Sequence, residues 1–407
     1  MQTRLTAEFA QTQQGRDAQA ILRSCVHCGF CTATCPTYQL LGDERDGPRG
    51  RIYLIKQVLE GDKPTRETQL RLDRCLTCRA CETSCPSGVQ YGRLLDIGRE
   101  QIEKQVNRPW SQRLLRSLLL KTVPYRGRIG PLIKAGQIFK PLLPSSIRQK
   151  VPAQRQVQSW PRRSHRRLML VSEGCIQSVI SPATNQALAE VLDKLSIELV
   201  SAEQAGCCGA MSQHLSAPNQ AREMMKANID AWWPHIARDI EAIIVSASGC
   251  GAMVKDYGYL MRDDPVYAAK AAKVSALAKD PVEIIRDELK PQQWSQLGQS
   301  ELIAFQSPCT LQHGQQLTGE VENLLQQCGF RLTVIRDSHL CCGSAGTYSL
   351  LQPELSKQLQ QNKLQALYQD HPSRIVTANI GCQLHLSTQQ QPLVHWIELV
   401  AEKLRNV

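Results

Sequence analysis

The sequence predicts a multidomain protein: a helical, cysteine-rich front followed by an α/β unit that occurs twice. Three observations carry that prediction. A cysteine pattern is repeated near the N-terminus, a basic stretch without acids follows it, and beyond residue 165 short apolar strands alternate with helices in two similar rounds.

In the front, residues 25–36 read CVHCGFCTATCP and residues 75–86 read CLTCRACETSCP. Both are C-x2-C-x2-C-x3-C-P, the spacing with which ferredoxin loops hold [4Fe-4S] clusters, three thiolates on one cluster and the fourth on its neighbour. The pattern therefore predicts two crosswise sets: Cys25, Cys28 and Cys31 with Cys85, and Cys75, Cys78 and Cys81 with Cys35. Pro36 and Pro86 end each loop and fix the fourth sulfur. Zinc is the competing reading, but structural zinc sites pair C-x2-4-C units across a longer insert. Disulfides would need an oxidising compartment. His27 reads as a loop residue able to donate a hydrogen bond, not as a ligand. Between the runs, GDERDGPRGRIYLIKQVLEGD has Pro48 at a helix start and Ile52, Ile55, Val58 and Leu59 at helical spacing. A helix of that length between the loops predicts an all-helical two-cluster domain.

At 407 residues the chain has room for two or three cores. Its 17 cysteines are too sparse for a disulfide scaffold and too clustered for chance, which suggests metal in a reducing compartment. The N-terminal segment lacks a signal-peptide core and no apolar run is long enough to span a bilayer, so the expected location is the cytoplasm, peripherally on the inner membrane. The net charge of +11 is local: Lys104 to Ser172 holds sixteen Lys or Arg and no acid. This stretch reads as a linker. Within it, PWSQRLLRSLLLK sets Trp110, Leu114, Leu115, Leu118 and Leu119 beside Arg113, Arg116 and Lys121. Two readings stay open, a helix lying on an anionic membrane surface and a helix whose leucines pack on the front domain. Nucleic acid is not expected, since few aromatics beyond Trp110, Tyr125, Phe139 and Trp160 accompany the charge.

The back half repeats. LMLVSEGC, IELVSAEQAGCCG and AIIVSASGC alternate with helical segments, and LIAFQSPC, RLTVIRDSHLCCG and RIVTANIGC do so again. Cys175 to Cys309 and Cys207 to Cys341 are each 134 residues apart, and Cys250 to Cys382 is 132. Each round reads β-α-β-α-β, a parallel sheet with its cysteines just past the strand ends, where open α/β sheets form ligand crevices. Cys175, Cys207, Cys208 and Cys250, and Cys309, Cys341, Cys342 and Cys382, are thus candidate ligands for a further cluster or metal, or redox thiols. Lone Cys328 reads as structural.

Two ferredoxin runs followed by two Cys-Cys-Gly units resemble the iron-sulfur subunits of membrane-linked 2-hydroxyacid and glycerol-3-phosphate dehydrogenases, and the cysteine-rich subunit of heterodisulfide reductase. The stretches CVHCGFCTATCPTYQLLGDERDGPRGRIYLIKQVLEG, NIDAWW, ASGCGAMVK, DSHLCCGSAGTYSL, VTANIGCQLHL and HWIELV resemble the glycolate oxidase iron-sulfur subunits in particular. The resemblance implies two FAD-binding partner subunits and electron delivery to a quinone or the respiratory chain. One departure stands out: Met253 and His385 occupy positions where heterodisulfide reductase relatives carry a fifth cysteine, so five-thiolate ligation is unavailable. The expected domains are 1–107 (ferredoxin), 108–165 (basic linker), 166–290 and 291–407 (the two cysteine-rich units).

No G-x-G-x-x-G follows an expected strand, so the flavin that hydroxyacid oxidation requires is expected in a partner. His313, His339 and His395 form no acid-base constellation. The chain therefore reads as an electron wire that does not oxidise glycolate alone. Alternatives are the same role in a lactate or glycerol-3-phosphate dehydrogenase, and a thiol-disulfide catalyst acting through the Cys-Cys-Gly units.

Overall fold

A computed structural model describes the chain except residues 143–158, 162, 291, 389–390 and 406–407. Much of the basic linker thus lies outside the described residues. The chain divides into two compact units, one of Met1–Ser117, Gln213–Ala217 and His339–Lys363, the other of Leu118–Ser212, Pro218–Ser338 and Leu364–Val407.

In the first unit every described element from Ala7 to Gln105 is helical. The helix expected between the cysteine runs spans Pro48–Leu59, with proline in its first turn where no N–H partner is lost. Ile52, Ile55, Val58 and Leu59 are all buried, as their spacing requires. They pack with Leu22 of Gln13–Ser24 and with Leu94 and Leu95 of Tyr91–Gln105. Gly98 makes the closest crossing, since a Cβ there would lie 2.6 Å from Ile55 Cγ1. Segment Gln213–Ala217 belongs here through Gln213, whose Nε2 donates to Asp96 Oδ2 at 3.4 Å.

The second unit holds two parallel four-stranded sheets. Strands β1 (Arg167–Val171), β2 (Ile197–Ser201), β3 (Ile243–Ile244) and β4 (Ala278–Lys279) are ordered β2-β1-β3-β4. Strands β5 (Leu302–Gln306), β6 (Arg331–Leu332), β7 (Arg374–Thr377) and β8 (Val394–His395) repeat that order. The sequence accounts for three strands per sheet; β4 and β8, two residues each, are additions. The helices between strands fall where expected, at Pro182–Lys194, Pro218–Ile236 and Glu320–Gln327. One apolar core draws on both sheets, from Leu188 and Leu192 to Phe305, Trp396 and Val400. Cys328, fully buried in it, is structural as expected. Among the described residues no helix is long and apolar enough to cross a membrane.

Trp110–Thr122 is helical, but its faces divide differently from the sequence reading. Leu119 is buried, whereas Trp110, Leu114 and Leu118 are 72, 61 and 57 % exposed. Arg116 does not flank an outer face. It turns inward to Asp73, 3.2 Å away, because that carboxylate is already drawn in by Arg108 at 2.5 Å.

Candidate metal centres

The two cysteine runs adopt one backbone plan. His27 and Gly29 in the first, and Thr77 and Arg79 in the second, take left-handed φ values of 57, 87, 54 and 60°. Each run then enters a one-turn helix, Phe30–Ala33 or Ala80–Thr83. Pro36 opens the helix Pro36–Leu41 with Cys35 as its N-cap, which fixes the fourth sulfur of the first run.

Two cavities result. One, the larger, is lined by Cys25, Cys28, Cys31 and Cys85, with Cys81 also in its wall. The other is lined by Cys35, Cys75, Cys78 and Cys81. In each, three closely spaced cysteines of one run meet the last cysteine of the other, which is the ferredoxin arrangement and not the paired C-x2-4-C of a structural zinc site. One buried polar atom in these walls has no hydrogen-bond partner among the described residues, His27 Nε2 in the larger cavity, while Tyr91, on the wall common to both, has its hydroxyl at Cys75. Inorganic sulfide of a cluster would supply an acceptor for His27. The thiols are also crowded. Burial, reinforced by neighbouring Cys25, pushes Cys31 up to about 11; burial and the Cys78 and Cys75 sulfurs hold Cys81 well above its ordinary value. Ionising such a group needs metal charge among the sulfurs. These residues fit two cubane clusters.

The surroundings of the cavities differ. Beside the smaller one, Arg51 is 1 % exposed. Its Nη1 donates to Thr37 Oγ1 at 3.1 Å, and that oxygen lies 3.3 Å from Cys35 Sγ. Its Nε donates to the Arg71 carbonyl at 2.8 Å. Asp46, fully buried, faces Arg51 at 3.5 Å, Arg74 at 3.1 Å and Arg71 in a short contact. Arg99 donates to the carbonyls of Cys75 (2.8 Å) and Leu72 (2.9 Å). The larger cavity has Arg49, paired bidentately with Glu44 at 2.7 and 3.1 Å. His27 there is pushed below its ordinary value by burial and by Arg49, which favours the neutral ring. Composition and spacing did not single out Arg51, Asp46, Thr37 or Tyr91. The available signal was Arg51 itself, a cation in register with the apolar stripe of its helix.

In the same unit Tyr348 is buried and its hydroxyl donates to the Arg74 carbonyl at 3.2 Å. Burial raises its phenol above the ordinary range, with Cys75 and Cys341 both adding to the effect.

In the first sheet the predicted thiols come together. Cys175 Sγ lies 3.5 Å from Cys207 Sγ, and Cys208 and Cys250 continue the row. The hydrogen bond from Cys175 lowers the Cys207 thiol, but its bond to Cys208 and burial outweigh that and leave it pushed up to about 12. The loop is pinned from below: Asn228 Nδ2 donates to the Cys207 carbonyl and Tyr257 Oη to the Cys208 carbonyl, both at 2.8 Å. The glycine of each Cys-Cys-Gly explains its place. Gly209 (φ 87°) and Gly343 (φ 89°) are left-handed, and a Cβ would meet the Ala221 carbonyl at 3.1 Å or the Ser356 carbonyl at 2.7 Å. Of the second set, Cys341 and Cys342 are buried in the first unit, while Cys309 and Cys382 stand in the second, Cys382 within the helix Ile380–Leu386. Met253 is buried in the apolar core of the first sheet, an apolar packing role in place of a thiol.

Fold and cysteines together define the class: a two-cluster ferredoxin domain joined to a duplicated cysteine-rich domain. Residues 21–89 match the family described as 4Fe-4S dicluster domain. Residues 169–255 and 303–387 each match the Cysteine-rich domain. The glycolate oxidase iron-sulfur subunit of Escherichia coli (strain K12) is 53% identical over the whole of both chains. A probable glycolate oxidase iron-sulfur subunit of Bacillus subtilis (strain 168) is 30% identical over 94% of each. Lactate utilization protein A of Bacillus velezensis is 24% identical over 52% of this chain and 87% of its own. The chain belongs to the family of glycolate oxidase iron-sulfur subunits.

Proposed function

We propose that this chain is the electron-transfer subunit of a glycolate-oxidising complex, with two cubane clusters ligated crosswise by Cys25, Cys28, Cys31 and Cys85 and by Cys75, Cys78, Cys81 and Cys35. The observation that carries the reading is the pair of cavities, each lined by three cysteines of one run and the last cysteine of the other. A bound [4Fe-4S] cluster takes up or releases one electron at a time. The protein's own part is to hold both sites in one helical domain, the all-helical variety of ferredoxin, with Tyr91 on their common wall. Hydride removal from glycolate belongs to FAD-binding partner subunits, and the electrons go on to a quinone or the respiratory chain. Full-length identity to the E. coli subunit favours glycolate over lactate or glycerol 3-phosphate.

The exposed apolar residues Trp110, Leu114 and Leu118 of one helix support attachment to an anionic membrane surface, and Leu132, Ile138 and Phe139 are exposed as well. Arg113 and Lys121 are the outward charges for that contact. The paired thiols of the first sheet support a further metal or redox role for Cys175, Cys207, Cys208 and Cys250. The proposed domain limits remain 1–107, 108–165, 166–290 and 291–407.

The test is reconstitution of the complex. Glycolate-dependent dye reduction should need both the flavoprotein partners and this chain; turnover by the pure chain would defeat the reading. In vesicle sedimentation, Arg113→Glu with Lys121→Glu should release the complex from anionic vesicles and leave iron content unchanged.

A further inference from the structure

The two cluster cavities are built from one motif, yet the fold gives them unlike charge. Around Cys35, Cys75, Cys78 and Cys81 it buries Arg51 and Arg99, at 1 and 9 % exposure. Arg51 reaches Cys35 through Thr37, by contacts of 3.1 and 3.3 Å, and Arg99 holds the carbonyl of Cys75 at 2.8 Å. The proximity is also visible on Arg51: burial works against its proton, and Cys75, Tyr91, Cys35 and Asp46 more than reverse that. The buried anion here, Asp46, is divided among Arg51, Arg71 and Arg74; Asp43 and Glu67 balance Arg71 besides, but Arg51 has Asp46 as its one carboxylate contact among the described residues, and that at 3.5 Å. At the other cavity Arg49 is paired one-to-one with Glu44, and the remaining cation, the Met1 ammonium, donates to the Cys25 carbonyl at 3.0 Å from a residue that is only half-buried, whereas Arg51 is 1 % exposed.

Reduction adds one negative charge to a cluster, and buried cations in a water-poor site favour that state strongly. Burial alone works the other way: Cys35, Cys75 and Cys81 are buried and Cys78 half-buried, against Cys25 buried, Cys31 and Cys85 half-buried and Cys28 exposed, and desolvation disfavours added charge. The arginines are what overcomes it. We propose that Arg51, seconded by Arg99, sets the order of electron flow within this chain. The cluster held by Cys35, Cys75, Cys78 and Cys81 takes the higher potential and receives the electron from the cluster held by Cys25, Cys28, Cys31 and Cys85. Arg51 is a positioning residue, acting through charge and through the Thr37 hydroxyl. This inference rests on the crosswise assignment proposed above.

The experiment is a potentiometric titration of the iron-loaded full-length chain followed by electron paramagnetic resonance. Cys35→Ser identifies which signal belongs to the smaller cavity. In Arg51→Gln that signal alone should move to lower potential, far enough to reverse the order in which the two clusters are reduced, with iron content unchanged. Arg51→Lys, which keeps the charge, should restore the wild-type order. Arg99→Gln should lower the same signal by a smaller step, and it carries the test if Arg51→Gln does not load. An unmoved midpoint in loaded variants, or equal shifts of both signals, would overturn the role of the arginines. Failure of Cys35→Ser to remove one signal would overturn the ligand assignment instead.

Discussion

The chain contains two duplications, and they are used in opposite ways. In the front, two runs 50 residues apart are too short to enclose anything singly, so each contributes three cysteines to one cavity and its last cysteine to the other, with Cys81 in both walls. In the back, each repeat carries its own four-stranded sheet, and the first collects Cys175, Cys207, Cys208 and Cys250 without borrowing a residue. A repeat long enough to build a core can own a site; a loop of a dozen residues has to share one. The consequence is mechanical. The front is coupled, so one lost residue damages the partner run, whereas in the back the first set of thiols draws no cysteine from the other repeat even though the two repeats share a core.

The sharpest way to break that contrast is Cys35→Ser. Although Cys35 belongs to the first run, the variant should lose the cluster of Cys75, Cys78 and Cys81, about four irons per chain. The cluster of the first run should remain. Cys207→Ser, the matching change in the back, should leave the iron of the front domain untouched. Iron analysis with spectroscopy reads both. Loss of the first-run cluster in Cys35→Ser would mean the runs are not crossed.

The next effect tests how the front is held. Asp46 is fully buried among Arg51, Arg71 and Arg74, and removing its charge leaves buried guanidinium groups uncompensated. Breaking a buried pair from one side costs about 3–5 kcal/mol. Asp46→Asn should therefore lower the unfolding midpoint of the front strongly, with loss of the second-run cluster first. A change under about 1 kcal/mol would place these arginines in the range of surface pairs.

Much of this was legible in the sequence, and what was not has physical reasons. Ile52, Ile55, Val58 and Leu59 declared a helix face because period 3.6 survives in a single segment. The offsets of 134 and 132 declared the duplication because both copies must put cysteines past the same strand ends. Strands β4 and β8 were not visible, since two residues carry no period. Arg51 was hidden because composition treats a cation as surface, and only the third dimension supplies Asp46 and Thr37. On Trp110–Thr122 the period was right and the register was not. Leu119 faces in and Trp110, Leu114 and Leu118 face out because Arg116 is anchored at Asp73. The grouping of His339–Lys363 with the front is likewise a product of chain closure, which no local pattern encodes.

A smaller effect concerns the joint between the repeats. His395 at the end of β8 is buried, its Nε2 donating to the Ser246 carbonyl beyond β3 at 3.0 Å, and its Nδ1 accepting from Ile397 N–H at 3.2 Å. Burial lowers it to about 4 from an ordinary 6.5. The folded chain thus refuses a proton that the unfolded chain accepts below pH 6.5. Stability from the neutral ring is full above that pH and is lost as pH falls towards 4, roughly 3 kcal/mol in all. His395→Gln keeps a donor for Ser246 and removes the titration. Wild type should lose more of its unfolding midpoint between pH 7.5 and 5 than the variant does. Parallel losses would assign the acid sensitivity elsewhere.

The smallest change probes whether the first repeat keeps its site by itself. Tyr257 Oη donates to the Cys208 carbonyl at 2.8 Å and accepts from Asn228 Nδ2 at 3.1 Å. Its ring packs against Trp232, centroids 6.3 Å apart. Tyr257→Phe keeps the ring and removes one buried donor, so the Cys208 carbonyl goes unpaired at a cost of about 1–2 kcal/mol. Asn228 still holds the Cys207 carbonyl, which keeps the loop near its place. The signature should therefore be local: faster alkylation of Cys207 and Cys208 in the native protein, a small drop in unfolding midpoint, and unchanged iron in the front domain. A self-contained site demands that last result, because no residue of the pinning network, Gly206, Asn228, Tyr257 and the two cysteines, comes from outside the first repeat. Iron lost from the front on Tyr257→Phe would show that the back is coupled after all.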